Sequence, residues 1–135
     1  MKLVYDVVPM GAVRMTGRGK WVKDNAQRYL AYKEEICWQT RQQMKNKDPI
    51  TGPIAVNVQF RMPIPKSWSK KKKSEAEGQY HTKRPDTDNL IKGLFDSLNN
   101  LVWKDDNQVC KILAKKIYSS KPGIEIEIKQ LEGER

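Results

Sequence analysis

The strongest structural signal in the sequence is Ile54-Ala-Val-Asn-Val-Gln-Phe-Arg-Met62, which has a large apolar side chain at every second position. Successive side chains of a β-strand point to opposite faces of the sheet, so this spacing predicts a strand with one buried face. Pro63 and Pro65 end the stretch, because proline supplies no N–H group to a sheet. The fold is therefore expected to be organised around a sheet that contains this strand.

Two amphipathic helices are predicted, one on each side of that strand in the chain. The first runs from about Asn25 to Lys45 with Asp24 as its N-cap, and the second from Asn89 to about Val102 with Asp88 as its N-cap. In the second helix, apolar residues recur at the three- and four-residue spacing of a helix face. Three more strands are expected, at Lys2–Val8, Gln108–Tyr118 and Ile124–Lys129. The last two are expected to pair as a hairpin around a turn at Ser119–Gly123.

The order of these elements predicts an α+β domain with a mixed β-sheet packed with helices. A chain of 135 residues favours one small domain, spanning residues 1–135. Within it, residues 66–83 are polar and basic, and we expect this segment to be mobile, with Ser67 as a candidate cap for a short helix.

The composition favours a polyanionic partner. Lys and Arg number 26 against 16 Asp and Glu, a net charge of +10, which points to nucleic acid. No apolar run approaches the ~20 residues of a membrane span, and the first ten residues lack a secretory pattern, so we expect a cytoplasmic protein. Cys37 and Cys110 have no Cys or His at metal-ligand spacing, which argues against zinc. Neither a GxGxxG nor a P-loop pattern occurs, so no nucleotide cofactor is expected.

Two pairs of aspartates flank the second predicted helix, Asp86 with Asp88 before it and Asp105 with Asp106 after it. A helix of ~14 residues is about 20 Å long, so the pairs meet only if the loop after Val102 folds back. Carboxylates gathered within a few ångströms repel one another unless a cation lies among them. Mg²⁺ or Mn²⁺ suits such oxygen ligands, and it can activate a water molecule against a phosphate.

Lys92 follows Asp88 by one helical turn, so both side chains are expected on one helix face. There the ammonium group can donate to a phosphate oxygen or to a leaving group. Structural roles remain open for each of these residues. Asp88 suits an N-cap, Asp86 an Asx-turn, Asp105 and Asp106 a solvated turn, and Lys92 an ion pair with Asp88.

A set of basic side chains is expected to contact DNA phosphates: Arg14, Arg18, Lys20, Lys70, Lys71, Lys72, Lys73 and Arg84. The aromatic residues Trp68, Tyr80 and Trp103 accompany them in the sequence, as in surfaces that stack nucleic-acid bases. A solvated basic face explains the lysine run equally well on composition alone. The one histidine, His81, is interpreted as a surface residue.

Three blocks of the sequence resemble the RusA-type Holliday-junction resolvases, in particular phage-borne members. The blocks are Lys83-Arg-Pro-Asp-Thr-Asp-Asn-Leu-Ile-Lys92, Phe95-Asp-Ser-Leu98 and Val102-Trp-Lys-Asp-Asp-Asn-Gln-Val109. Every position of the family's motifs is present, at the family's spacing. The resemblance implies a homodimeric endonuclease that binds four-way DNA junctions and cuts two symmetric strands with Mg²⁺ or Mn²⁺.

The resemblance also assigns residues. It implies that Asp86, Asp88 and Asp106 are the metal-binding catalytic carboxylates, with Asp105 as a further neighbour, and that Lys92 is the catalytic lysine. Asn89 matches the motif and is interpreted as a structural residue at the helix start.

The predicted function is therefore a metal-dependent endodeoxyribonuclease that resolves four-way junctions by paired, symmetric phosphodiester hydrolysis. Paired cutting needs two active sites related by a two-fold axis, which a homodimer supplies. Two alternatives remain open: a non-catalytic basic protein that binds branched DNA, and a metal nuclease with broader specificity for branched or single-stranded DNA.

Overall fold

The alternating stretch forms one of the two inner strands of a four-stranded sheet in a computed structural model that describes residues 1–14 and 24–132. Arg18 and Lys20 lie outside the described residues. The elements, in chain order, are β1 (Lys2–Tyr5), α1 (Asp24–Met44), β2 (Ile54–Pro63), α2 (Lys70–Ala76), α3 (Thr87–Leu98), a 3₁₀ helix (Asp106–Gln108), β3 (Val109–Ser119) and β4 (Gly123–Gln130).

The four strands form one mixed sheet in the order β1-β4-β2-β3. β2 pairs in parallel with β3 and antiparallel with β4, and β1 pairs antiparallel with β4. The predicted hairpin of the last two strands is wrong, because β2 lies between β3 and β4 and takes the pairing of both. The alternating large apolar side chains of β2 lie at 3% exposure or less, as the alternation predicts: Ile54, Val56, Val58, Phe60 and Met62. The predicted α+β class with a mixed sheet is confirmed.

The helices α1 and α3 contact each other, and their apolar faces join that side of β2 in one core. α3 contributes Leu90, Leu94 and Leu98, which recur every four residues and are fully buried. Within the described residues, no helix is both long enough and apolar enough to cross a bilayer. Because the buried residues form one continuous cluster, the described part of the chain is one small domain with a single core.

The second predicted helix has different ends in the structure. α3 begins at Thr87 with Asp86 as its N-cap, and it ends at Leu98, so the predicted N-cap Asp88 and the predicted end at Val102 are wrong. Asn100 has a left-handed backbone (φ 68°), which turns the chain after the helix. Val102 is nevertheless fully buried, because the turn after α3 packs it into the core. The apolar pattern in the sequence therefore continues past the end of the helix.

The basic segment 66–83 lies against the outer edge of β3. Its helix α2 is capped by Ser69, whose hydroxyl accepts the N–H of Lys72 at 3.2 Å, rather than by Ser67. After the helix, two backbone hydrogen bonds join the segment to β3. Gly78 N donates to Tyr118 O, and His81 N donates to Lys116 O, both at 2.9 Å. The mobility expected for this segment stays a prediction.

Two substitutions of apolar residues by alanine test the position of the core. We expect Leu94→Ala to lower the free energy of unfolding by about 2–5 kcal/mol, because it leaves a cavity where a side chain with 0% exposure stood. Val8→Ala removes an apolar side chain at 57% exposure, after β1, and should change the free energy by less than about 0.5 kcal/mol. Urea denaturation measures both, and equal losses would contradict the core described here.

Candidate active site and nucleic-acid interface

Asp86 and Asp88 lie exposed at the start of α3. The backbone carbonyl of Asp86 accepts the first helical bond from Leu90 N at 3.1 Å, but its carboxylate makes no capping hydrogen bond. The Asp88 carboxylate accepts the N–H of Asn89 at 2.9 Å. Neither carboxylate is used as a side-chain cap of the helix, so oxygen atoms of both remain free to bind a ligand.

Lys116 positions the loop that carries Asp86. It extends from β3, and its ammonium donates to the backbone carbonyls of Lys83 at 2.5 Å and Pro85 at 2.7 Å. Since β3 is part of the sheet, these two bonds tie the start of α3 to the rigid part of the domain. Sequence reasoning did not single out Lys116, because its role depends on β3 passing beside this loop.

Asn89 anchors the N-terminal segment to the same place. Its side-chain amide donates to Ala12 O at 3.1 Å, and its backbone carbonyl accepts from Ala12 N at 3.2 Å. A Cβ atom on Gly11 would lie 2.6 Å from the Asn89 amide nitrogen, so a larger residue there would displace the Asn89 side chain from its bond to Ala12. Asn89 thus has the structural role expected of it. Arg14 is exposed and follows Ala12 by two residues, so its Cα lies within about 7 Å of this contact.

The exposed face of α3 carries charges of alternating sign. Asp88, Lys92 and Asp96 follow one another at four-residue intervals, and all three are exposed. The described residues form two ion pairs, Lys2 and Arg61 each with Glu125, and neither involves Lys92. The ion pair considered for Asp88 and Lys92 does not form, and the ammonium group remains available to a ligand.

Asp105 and Asp106 have different roles in the turn after α3. The Asp105 carboxylate caps the 3₁₀ helix by accepting Asn107 N at 3.0 Å, and the Gln108 side chain accepts Asp105 N at 3.1 Å in return. This capping box matches the structural alternative considered for Asp105. Asp106 is the half-buried member of the pair.

The pKa of Asp106 is raised above its ordinary value. Burial is the largest cause, and contacts with Asp105 and the charge of Asp96 add to it. A hydrogen bond from Asn99 acts in the opposite direction, and Asn99 is itself held by the Trp103 indole N–H at 2.7 Å. Asp96 therefore belongs to the acidic group at this end of α3. Its four-residue spacing from Lys92 could have identified it in the sequence.

The two acidic groups do not meet within one chain. Asp86 and Asp96 are separated by ten residues of helix, about 15 Å along its axis. The chain turns at Asn100 instead of folding back along the helix, and this keeps Asp106 near Asp96. In residues 1–14 and 24–132, no three His, Cys, Asp or Glu side chains lie close enough to hold a metal ion together.

The basic residues of segment 66–83 lie on the surface. Three of the four lysines of α2 are exposed and Lys73 is half-buried, while the Lys72 ammonium lies 4.1 Å from the centre of the Trp68 ring. The Glu77 carboxylate accepts Ser120 N at 3.0 Å and Ser120 Oγ at 2.7 Å, which holds the end of α2 beside the β3–β4 turn. Arg84 is also exposed. Their contact with phosphates stays a prediction.

His81 is half-buried rather than a free surface residue. Its ring lies 4.6 Å from that of Tyr118, measured between centroids. Burial lowers the pKa of the imidazole, and the positive charge of Lys116 lowers it further. The packing of His81 therefore explains its position without a catalytic role.

Comparison with known proteins identifies a family. The family model of Endodeoxyribonuclease RusA matches residues 5–129, which include all three of the sequence blocks that carry the resemblance. An uncharacterized protein, YqaN of Bacillus subtilis (strain 168), is 44% identical over 86 residues, 61% of this chain and 61% of that protein. The crossover junction endodeoxyribonuclease rusA of Lactococcus phage r1t is 44% identical over 54 residues, 39% of this chain and 41% of that protein. The chain therefore spans less than two thirds of either relative.

The lowered pKa of His81 gives a test of the contact with Lys116. We expect the imidazole to titrate below its ordinary value of 6.5 in an NMR titration. Lys116→Met should raise this pKa, because a repelling charge is lost, whereas Lys116→Arg should keep it low. Lys121→Met, at an exposed position in the β3–β4 turn, serves as the control.

The same shift makes stability depend on pH. The folded state binds the His81 proton less readily than the unfolded chain does, so the free energy of unfolding should fall as the pH drops below about 6.5. An imidazole that titrates at or above 6.5 would contradict the packing of His81 described here.

Proposed function

The chain belongs to the RusA endodeoxyribonuclease family, and from that premise we propose that it is a metal-dependent endonuclease that resolves four-way DNA junctions. The observation that carries the proposal is the pair of exposed carboxylates at the start of α3. Asp86 is the N-cap residue, yet its carboxylate is not used for capping. A purely structural aspartate at that position would be expected to accept a hydrogen bond from the first helical turn.

The donor set fits a hard divalent cation. Asp86 and Asp88 offer only oxygen atoms, which suit Mg²⁺ or Mn²⁺. Mg²⁺ in phosphate chemistry commonly takes one or two carboxylates and completes its coordination with water and substrate phosphates, so these two residues suffice to begin a site. When bound, such an ion supplies an activated water and positive charge beside the phosphate.

Lys92 has a role that does not depend on the metal. Its ammonium lies on the same exposed face of α3 as Asp88, one turn along the helix. From there it donates a hydrogen bond to a phosphate oxygen that gains negative charge as the bond breaks. Together with Arg84 and the lysines of α2, it offsets the repulsion between the aspartates and the DNA backbone.

Paired cutting requires a second chain, and the edge of β3 offers a surface for it. Residues 78–81 pair with β3 only near Lys116 and Tyr118. Between Cys110 and Lys115, the outer side of β3 has no backbone partner among the described residues. Ile112 and Leu113 lie there at 47% and 67% exposure. An uncovered apolar strand edge is a ready surface for pairing with another chain.

An antiparallel pairing of two β3 strands about a two-fold axis at Ile112 has a direct consequence for the site. It places Lys115 opposite the partner subunit's Val109, and it brings the partner's Asp106 toward Lys116 and the loop that carries Asp86. The acidic groups that lie about 15 Å apart in one chain then approach each other across the dimer. The same register places no lysine directly opposite another lysine.

Loss of one carboxylate tests the catalytic proposal. We expect Asp88→Asn to reduce cleavage of a labelled four-way junction at least about 100-fold in Mg²⁺, since it removes a metal ligand. Junction binding, measured by gel shift at a stated salt concentration, should be retained or tightened, because a negative charge that faces phosphate is lost. Asp48→Asn, at an exposed loop position, is the matched control.

Substrate comparison separates this proposal from its alternatives. Cutting of the junction that disappears with EDTA supports metal dependence, and binding without cutting under any divalent cation would support a non-catalytic DNA-binding protein. Equal cleavage of junction, flap and linear duplex would support a nuclease of broader specificity.

Mixing two inactive variants tests whether the site is shared between chains. Asp88→Asn and Asp106→Asn should each be inactive alone. In a mixed dimer, one site contains both substitutions and the other contains neither, so activity should return to about a quarter of the wild-type level after random exchange. The product should be a nicked junction rather than a resolved one. A mixture that stays inactive after proven subunit exchange would contradict a shared site.

A further inference from the structure

Four aromatic rings occur where segment 66–81 meets β3, and three of them pack against one another. Tyr118 lies 5.5 Å from Trp68 and 4.6 Å from His81, measured between ring centroids. The fourth, Tyr80, takes no part in this cluster. Its exposure of 74% is the highest of any large hydrophobic residue in the described part of the chain. Tyr80 therefore presents a ring to solvent that packing does not require there.

The backbone around Tyr80 is held on both sides. Gln79 O accepts Tyr118 N at 2.9 Å, and His81 N donates to Lys116 O at 2.9 Å. Tyr80 itself forms an isolated antiparallel bridge with Ile117 of β3. The ring is thus exposed from a fixed position at the edge of the sheet, and little ordering entropy is lost when it meets a flat ligand.

The surroundings of Tyr80 are basic and close to the proposed active site. The lysines of α2 precede it, and Lys83 and Arg84 follow it, all on the surface except the half-buried Lys73. Asp86 is six residues away, a span of at most about 20 Å for an extended chain. Lys116 contacts both the Tyr80 segment and the Asp86 loop. Its backbone carbonyl accepts His81 N, and its ammonium donates to Pro85 O.

We propose that Tyr80 is a stacking platform for a base exposed at the branch point of the DNA. This inference rests on the proposed function and adds to it a residue that recognises the shape of the substrate. Contacts to phosphates occur on linear and branched DNA alike, so the basic residues alone discriminate poorly. Base stacking is interrupted where duplex arms meet, and a base that turns out of the crossing can lie on an aromatic ring whatever its identity.

Binding in the absence of cleavage measures this role. The probe is a four-way junction with 2-aminopurine at the branch point, and the protein carries Asp88→Asn so that it binds without cutting. We expect the 2-aminopurine fluorescence to change on binding. Adding Tyr80→Ala should abolish that change and weaken junction binding by roughly tenfold, in the range of one lost base–aromatic stack. Tyr80→Phe, which keeps the ring, should retain both.

Two controls show whether the effect belongs to this ring and to the branch point. Trp38→Ala removes another exposed aromatic, at 58% exposure on α1, and should leave junction binding unchanged. Linear duplex of the same length, without a branch point, should bind the Tyr80→Ala variant as it binds the parent protein. A loss of affinity that is equal for junction and duplex would overturn the proposal.

The outcomes distinguish this inference from the proposed function. If the wild-type protein cuts junctions and Tyr80→Ala cuts and binds them equally well, the stacking role is wrong and the nuclease remains. If no cutting occurs but junction binding still depends on the Tyr80 ring, the proposed catalysis is wrong and the stacking role holds. A change of mass in solution on Tyr80→Ala, with DNA binding unaffected, would assign the ring to a protein contact and overturn the proposal.

Discussion

The parallel pairing of β2 with β3 is the constraint on which the rest of the structure depends. Two parallel strands cannot be joined by a tight turn, so the chain must cross back before β3 begins. Residues 64–108 make this crossover, and α3 is its returning helix. Because α3 runs opposite to β3, whatever precedes the helix lies near the end of β3, and whatever follows it lies near the start. The separation of Asp86 from Asp106 follows from this topology.

The sequence predicts the strands and helices well where an apolar pattern repeats. It predicts helix ends poorly, because a single capping or turn residue determines where a helix begins or stops. The alternation in Ile54–Met62 predicts β2 because burial imposes the period of a strand. The end of α3 is mispredicted because Val102 and Trp103 are buried in a turn and extend the apolar spacing past Leu98. Ser69 caps α2 in place of the predicted Ser67, and Asp86 occupies the N-cap position of α3 in place of the predicted Asp88, although its side chain makes no capping hydrogen bond. Nothing in local composition separates these candidates.

For the candidate site too, local spacing predicts some features, and contacts between distant segments determine the others. The four-residue spacing of Asp88 and Lys92 correctly predicts that they share one exposed helix face, and the same spacing extended to Asp96 would have added the residue whose charge reaches Asp106. The roles of Lys116 and Asn89 depend on contacts with segments distant in the chain, which no local pattern encodes. Distance between the acidic groups is likewise a property of the assembled fold.

If the active site is shared between two chains, as proposed, DNA cleavage would depend on dimer formation. One chain holds Asp86 and Asp88 beside exposed basic residues, but its own Asp106 remains at the far end of α3, beside Asp96. DNA bound by a single chain would then meet an incomplete set of carboxylates, whereas two chains on a two-fold branched substrate would complete both sets at once. In the proposed dimer, the edge of β3 would provide this coupling because it runs from one acidic group to the other, about 23 Å between Val109 and Lys116. Selectivity for a junction would thus arise from the geometry of the sheet as well as from the residues that touch the DNA.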